Sequence, residues 1–337
     1  MKKINYIFIC LLALATIFQG CKKEDDAKIE PAPITPAPET FTCIPFETYD
    51  LSNCWLGPQY RKKGTFYQMP CFNPNNSNEF LYVRSSSIYK YNLLSKQSTM
   101  IAERVQPVGP PDWSRSGWIV FSDISWKIWK IRDDGTGLQQ LSFGEDDQFP
   151  YFNPAGDKII YGSHFLNTNK MLIMDLNGNK LDTLCSLRLG SCLGWGNSSW
   201  TVNDRILRRT HSGQGMDGEL SFYNYATKQD ESPLFTYKND SSNQEIRDYK
   251  VLNADKILYA MTNKGLVLYN IQAKTHQVLK ENCHNIWYDF FSISPDKTKL
   301  LVEKNTLKFV GDCTFEQRKS LVIMNIDGSN EQEIPLP

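Results

Sequence analysis

Four histidines occur in the 337 residues, and three of them sit where side-chain chemistry is conceivable. His164 and His211 take the same place after two matching apolar strands, and His284 lies in a polar segment that ends on the same side. Carboxylates gather just before other apolar runs, as Glu145, Asp146 and Asp147, then Asp248 and Asp289. Neutral imidazole combined with carboxylate oxygen is a donor set for zinc or another divalent cation. The competing reading is structural: loop histidines, and aspartates that cap turns or satisfy backbone amides. The structural reading is preferred, so no cofactor or metal is expected, and a divalent cation is the alternative. The candidate binding face is therefore Asp147, His164, His211, Asp248, His284 and Asp289.

In an exported chain the cysteines are disulfide candidates. There are nine, of which Cys10 and Cys21 belong to an apolar N-terminal segment, leaving seven. An odd number in an exported chain leaves one thiol over once disulfides have formed. No Cys-x-x-Cys occurs, so a zinc ribbon is not indicated. The expected bridges are Cys185–Cys192, which closes a short ring, and Cys283–Cys313, whose members fall on the same side of the molecule. Cys43 and Cys54 could form a third, with Cys71 as a buried thiol. Sequence alone does not fix this connectivity.

Other apparent motifs carry no chemistry. Gly213 to Gly218 spells G-x-G-x-x-G but joins two strands, whereas a dinucleotide site needs a helix N-terminus after the turn. Asp175 to Asn179 lacks the spacing of a calcium loop and is explained by a tight hairpin turn. No G-x-S-x-G elbow is present. Trp126 and Trp129 read as packing between blades, the repeated units described next, with Trp126 the one that could face a sugar.

What must position these residues is a repeated unit. It is clearest from Pro111 to Thr183, where PPDWSRSGWIVFSD…KIWKIRDDGTGLQQL is followed by FPYFNPAGDKIIYGS…KMLIMDLNGNKLDTL. Each copy has a Pro two or three residues before Trp113 or Phe152 and a polar turn ending at Gly117 or Gly156. Two further apolar strands follow, separated from a fourth by Asp134-Gly135 or Asn177-Gly178. The end of the first strand recurs as Phe72, Trp113, Phe152, Trp200, Leu252 and Ile293. The second strand recurs as Phe80–Val83, Trp118–Phe121, Lys158–Tyr161, Arg205–Arg208, Lys256–Tyr259 and Lys299–Val302. The third recurs as Ile88–Asn92, Ile128–Arg132, Met171–Asp175, Leu220–Asn224, Leu266–Asn270 and Leu321–Asn325. Hairpins of this kind bury both faces only by stacking on further copies. The expected fold is all-β, a β-propeller of six four-stranded blades, with seven as the alternative. Thr42 to Phe66 is too short for a blade and is expected to add an outer strand that latches the ring.

The P-x-W-S-x-x-G…F-S…G…L pattern from Pro111 to Leu141, repeated from Pro150, resembles the WD40-like propeller repeat of the TolB family. Ser294-Pro295-Asp296 and Met324 to Gly328 match fairly, and the remaining units match weakly. The resemblance covers Tyr67 to Pro337 and excludes the separate α/β domain of TolB itself. It implies a periplasmic or surface binding role, sometimes with an extended peptide held in the central channel. Some propeller lyases of this kind place a metal between blades, but none of their other motifs is present.

The N-terminus reads as an address. Lys2 and Lys3 precede an apolar stretch from Ile4 to Phe18, too short for a membrane span, and the stretch ends at Gln19-Gly20-Cys21. This resembles a bacterial lipoprotein signal, 1–21, with Cys21 as the lipidated residue. Residues 22–41 form a Pro-rich charged linker suited to an extended stalk, followed by the propeller from 42 to 337. Lys+Arg and Asp+Glu both number 37, which argues against nucleic acid as a partner. The expectation is a monomeric outer-membrane lipoprotein, facing the periplasm or the cell surface. It would bind an envelope protein, peptide or glycan and have no enzymatic activity. The alternative is an enzyme acting on polysaccharide through a metal or a His/carboxylate site. The long inter-strand segments Leu166–Lys170, Ser212–Gly218 and Lys304–Lys319 mark the face where binding is expected.

Overall fold

β-branched and aromatic runs, cut every few residues by Gly, Asn, Asp and Ser, leave no stretch long enough for a helix. The computed structural model accordingly contains 26 strands and no helix among the residues it describes. Those residues are 42–44, 58–144, 146–165, 168–188, 199–211, 217–238, 245–311 and 313–337. The strands form six sheets of at least four strands each, antiparallel but for one parallel strand on the edge of blade six, arranged as a six-bladed β-propeller.

Inner strands run Tyr67–Asn73, Asp112–Trp113, Asp147–Phe152, Ser199–Trp200, Ile246–Asn253 and Ile286–Ile293 in blades one to six. Second strands are Asn76–Arg84, Trp118–Ser122, Lys158–Phe165, Arg205–His211, Lys256–Met261 and Lys299–Gly311. Third strands are Ser87–Asn92, Ile128–Arg132, Thr168–Asp175, Asp217–Asn224, Gly265–Asn270 and Thr314–Asn325. Register is consistent around the ring: Phe72 pairs with Phe80, Trp113 with Ile119, Phe152 with Ile159, Trp200 with Ile206 and Ile293 with Leu300. In blade five the equivalent pair is Val251 with Ile257, and the register shifts between Val251 and Asn253. Leu252, expected at that position, is therefore the residue displaced by the bulge.

Turn chemistry sets where the third strands end. In blades two, three and six Gly135, Gly178 and Gly328 take positive φ at the turn after the third strand. At Gly178 a Cβ would collide with the Leu141 carbonyl oxygen of the preceding blade, so this turn needs Gly for space as well as for φ. Blades one, four and five place Lys96, Lys228 and Lys274 in the same left-handed conformation.

The core lies between blades. Six apolar clusters each join two neighbours; Trp113, Ile119 and Phe121 meet Leu81 and Val83 across blades one and two, for example. The last cluster closes the ring, packing Phe72, Phe80, Tyr82 and Tyr91 of blade one against Leu301, Leu321 and Ile334 of blade six.

Blades one and six are each built from one continuous stretch of chain, and a latch ties them. Gln59–Lys62 pairs in parallel with Thr314–Gln317 of blade six just before the chain enters blade one. Upstream, Cys43 is disulfide-bonded to Cys283, with Cα atoms 5.8 Å apart. The Ile44 amide donates to Asn285 Oδ1 (2.8 Å), Asn285 Nδ2 donates to the Thr42 carbonyl (2.8 Å), and the His284 amide donates to the Ile44 carbonyl (2.9 Å). This corrects the expected Cys283–Cys313 and Cys43–Cys54 pairings. Thr42–Ile44 crosses directly over the blade five-to-six connection, bringing Cys43 to Cys283, and Cys313 lies in a different disulfide. Cys71 is the buried free thiol. Cys192, Cys54, Cys21, the signal 1–21 and the linker 22–41 lie outside the described residues, as does the Cys185 side chain, so Cys185–Cys192 is not described.

Candidate functional site

Inner strands of a propeller pair on one edge only, and the amides of the other edge face the channel. Each such amide needs an acceptor. The residue just before the recurring pairing position supplies one in every second blade. The Phe72 amide donates to Ser292 Oγ at 2.9 Å, the Phe152 amide to Asp112 Oδ2 at 2.8 Å, and the Val251 amide to Ser199 Oγ at 3.2 Å. Blades six, two and four thus each bracket the next blade in the ring. The alternate positions carry Cys71, Tyr151 and Lys250. Burial pushes the Asp112 carboxyl up to about 6, against the Phe152 amide, the Lys250 charge and the Trp113 amide, which pull it down.

Further along the channel the same device recurs with carboxylates. Asp248, fully buried, accepts from the Tyr249 amide (2.8 Å) and the Phe291 amide of blade six (3.0 Å), with Lys250 Nζ at 3.5 Å. Glu303, also fully buried, accepts from the Met69 amide of blade one (3.0 Å) and from Lys319 Nζ (2.8 Å). Asp289 accepts from Trp287 Nε1 and Asn305 Nδ2, both at 3.0 Å. Burial raises both Asp289 and Glu303 above the usual carboxylate range.

The sequence candidates are therefore distributed rather than gathered. Asp248 and Asp289 hold backbone and side-chain donors inside the ring. Asp147, buried at the start of the blade-three inner strand, donates its amide to the Trp126 carbonyl (2.9 Å). His284 packs edge-on to Phe315 at 5.8 Å, and burial lowers its pKa. His164 is the penultimate residue of its second strand, opposite Asn169, and His211 ends its own, opposite Gly218; their side chains lie outside the described residues. Among the described residues no three His, Cys, Asp or Glu side chains come together to hold a metal ion. Trp129 packs against the blade one–two core and donates to Asp123 Oδ2 (3.0 Å), while Trp126 sits partly exposed in a positive-φ turn.

A concave site opens at the other end of the channel, where the inner strands turn into the second strands. A cavity of about 590 Å³ continues into one of about 350 Å³, lined by Asp112, Trp113, Phe152 and Trp200 with Arg115 and Lys297 at the rim. Arg115 and Lys297 are exposed and have no ion-pair partner among the described residues. Arg205, nearby, is instead held bidentate by Glu231 at 2.7 and 2.5 Å. The site can offer aromatic edges, backbone-like polar groups and two free cations to an anionic or polar chain. Sequence reading assigned the Pro-x-aromatic openings to packing and looked to the long-loop end. The signal it passed over was the side chain just before each packing aromatic, Asp112 and Ser199, together with Arg115 and Lys297 in the polar turns.

No family model matches the chain. An uncharacterized protein of Agrobacterium fabrum is 26% identical over 113 residues, covering 30% of this chain and 39% of that protein. The chain thus matches well under half the length of that relative. Among solved structures, an Agrobacterium tumefaciens protein assigned as a TolB is similar at TM-score 0.53 and 8% identity, covering 81% of this chain and 89% of its own. An oligogalacturonate lyase of Vibrio parahaemolyticus is similar at 0.52 and 12%, covering 72% and 75%. Hydrazine synthase of Kuenenia stuttgartiensis is similar at 0.54 and 11%, covering 75% and 76%. At these identities the likeness is one of fold.

Proposed function

We propose that the chain is a TolB-like, non-enzymatic binding module of the bacterial cell envelope, anchored through a lipid on Cys21, that holds an envelope protein, peptide or glycan. One observation carries the reading: the turn-end funnel, where Arg115 and Lys297, without an ion-pair partner among the described residues, stand beside Asp112, Trp113, Phe152 and Trp200. A rigid concave site with aromatic walls and a few convergent polar groups is what a binding scaffold supplies. The test is a pull-down from solubilised envelope with the wild type and with Arg115→Glu/Lys297→Glu. The charge-reversed protein is expected to lose its specific partners, and an unchanged set would count against the funnel. Fatty-acid labelling lost in Cys21→Ala is the matching test of the anchor.

A polysaccharide-active enzyme is the second reading, favoured by one observation: half-buried Asp289 and fully buried Glu303 are two carboxyls with raised pKa values that share the Asn305 amide, at 3.0 and 3.4 Å. Such a pair can divide acid and base roles. Both carboxyls already hold structural donors, so the binding reading is preferred. Turnover of an acidic polysaccharide by the wild type, abolished in Asp289→Asn, would reverse that preference.

A further inference from the structure

The blade-six hairpin outgrows the propeller. Its second and third strands run Lys299–Gly311 and Thr314–Asn325, and their pairing continues to Gly311 opposite Thr314. The latch strand Gln59–Lys62 lies on the edge of this extension, and all four of its residues are exposed. Because the Gln59 amide donates to the Cys313 carbonyl and the Lys63 amide to the Gln317 carbonyl, both at 2.8 Å, the odd-numbered residues turn inward. Tyr60 and Lys62 then point their amides and carbonyls outward. No hydrogen-bond partner for those outward groups exists among the described residues.

The side chains along this edge specify an occupant. Tyr60 stacks on Phe315 at 5.8 Å, and Phe315 meets Phe309 at 5.1 Å, so one aromatic row crosses three strands. Its outer members are open to solvent, Tyr60 at 56% and Phe309 at 43%. Arg61, Lys62 and Lys63 follow in sequence, and the acid beside them is Glu316, 3.5 Å from Lys63 Nζ. A second copy of this chain would set these cations against themselves in an edge-to-edge pair, which like charge disfavours. We propose that this edge receives an extended acidic segment of a partner protein, added as a further strand to the blade-six extension. Main-chain bonds to Tyr60 and Lys62 would give affinity. An apolar residue beside Tyr60 and a carboxylate beside Arg61, on the opposite face of the strand, would give selectivity, with the Lys62 charge adding long-range attraction. The proposed surface is separate from the channel funnel.

The test uses the detergent-solubilised full chain and labelled peptides of about eight residues that alternate Val with Glu or Val with Lys, read by fluorescence anisotropy. The Glu peptide is expected to bind at least about tenfold more tightly than the Lys peptide, and to weaken as salt rises. Lys62→Pro removes one outward donor and no latch bond. It is expected to weaken the Glu peptide at least about tenfold with the melting temperature moved by no more than about 3 °C. Arg61→Gln/Lys62→Gln, which leaves the backbone intact, is expected to weaken it similarly and to flatten the salt dependence. Equal binding of the two peptides, or wild-type binding by Lys62→Pro, overturns the proposal. A gain of about tenfold on deleting residues 22–41 overturns it too, because the chain's own Glu24-Asp25-Asp26 segment would then be the occupant.

Discussion

At the scale of single residues, the channel is governed by side chains that complete the backbone of a neighbour. Asp112 has two separable roles: it accepts the Phe152 amide, and it carries a charge that burial opposes. Its pKa moves from 3.8 up to about 6, so between those values the folded protein holds a proton that the unfolded chain has released. Stability linked to this group is therefore fully present below pH 3.8 and falls as pH rises towards 6. Asp112→Asn keeps an acceptor and removes the charge. Thermal unfolding followed against pH should show that slope flattened and the protein more stable at neutral pH, by at most about 3 kcal/mol. Asp112→Ala, which loses the same charge but also strands the Phe152 amide, should be less stable than Asp112→Asn by about 1–3 kcal/mol at every pH. Equal pH profiles for the wild type and Asp112→Asn would show that the carboxyl is not strained.

At the scale of elements, the blades were the legible part. The third strands end at the residues read from sequence, Asn92, Arg132, Asp175, Asn224, Asn270 and Asn325, because a turn residue follows each. Their beginnings were less visible: Thr168 and Thr314 start strands well before the apolar runs at Met171 and Leu321. Polar residues in an extension away from the core leave no hydrophobic period to read. The bulge at Leu252 was hidden for a related reason, since Val251 and Leu252 are equally apolar and only register separates them. The candidate site was illegible because its residues act across blades. Glu303 lies mid-strand in an apolar run, yet it joins blade six to blade one through the Met69 amide and Lys319. Glu303→Ala should orphan a half-buried ammonium and an amide at once and lower stability by about 2–4 kcal/mol. Glu303→Gln, which keeps an acceptor, should cost clearly less. Equal melting temperatures for the two variants, measured by calorimetry, would remove Glu303 from the blade-joining role.

At the scale of the whole ring, closure differs in kind from the other five interfaces. Each of those follows a covalent connection from one blade to the next, whereas blades six and one meet through side-chain packing, the Ser292 and Glu303 brackets and the latch. The Cys43–Cys283 bond spans 240 residues and fixes the start of the latch to the blade five-to-six connection. Constraining so long a loop in the unfolded chain is worth roughly 5 kcal/mol on the entropic account. A loss spread through the unfolded state would weaken all six blades alike. A loss of local anchoring would instead let the ring open at its one non-covalent junction. Cys43→Ser/Cys283→Ser separates the two by native-state hydrogen exchange. Local anchoring predicts that Tyr67–Asn73 and Ile286–Ile293 exchange at least about tenfold faster, while the inner and second strands of blades two to four change little. The Met69 and Phe72 amides, which point at blade six, should lead, because opening removes their acceptors first. Uniform acceleration across all six blades would assign the disulfide to global stability alone and leave the ring closed by packing and its carboxylate and hydroxyl brackets.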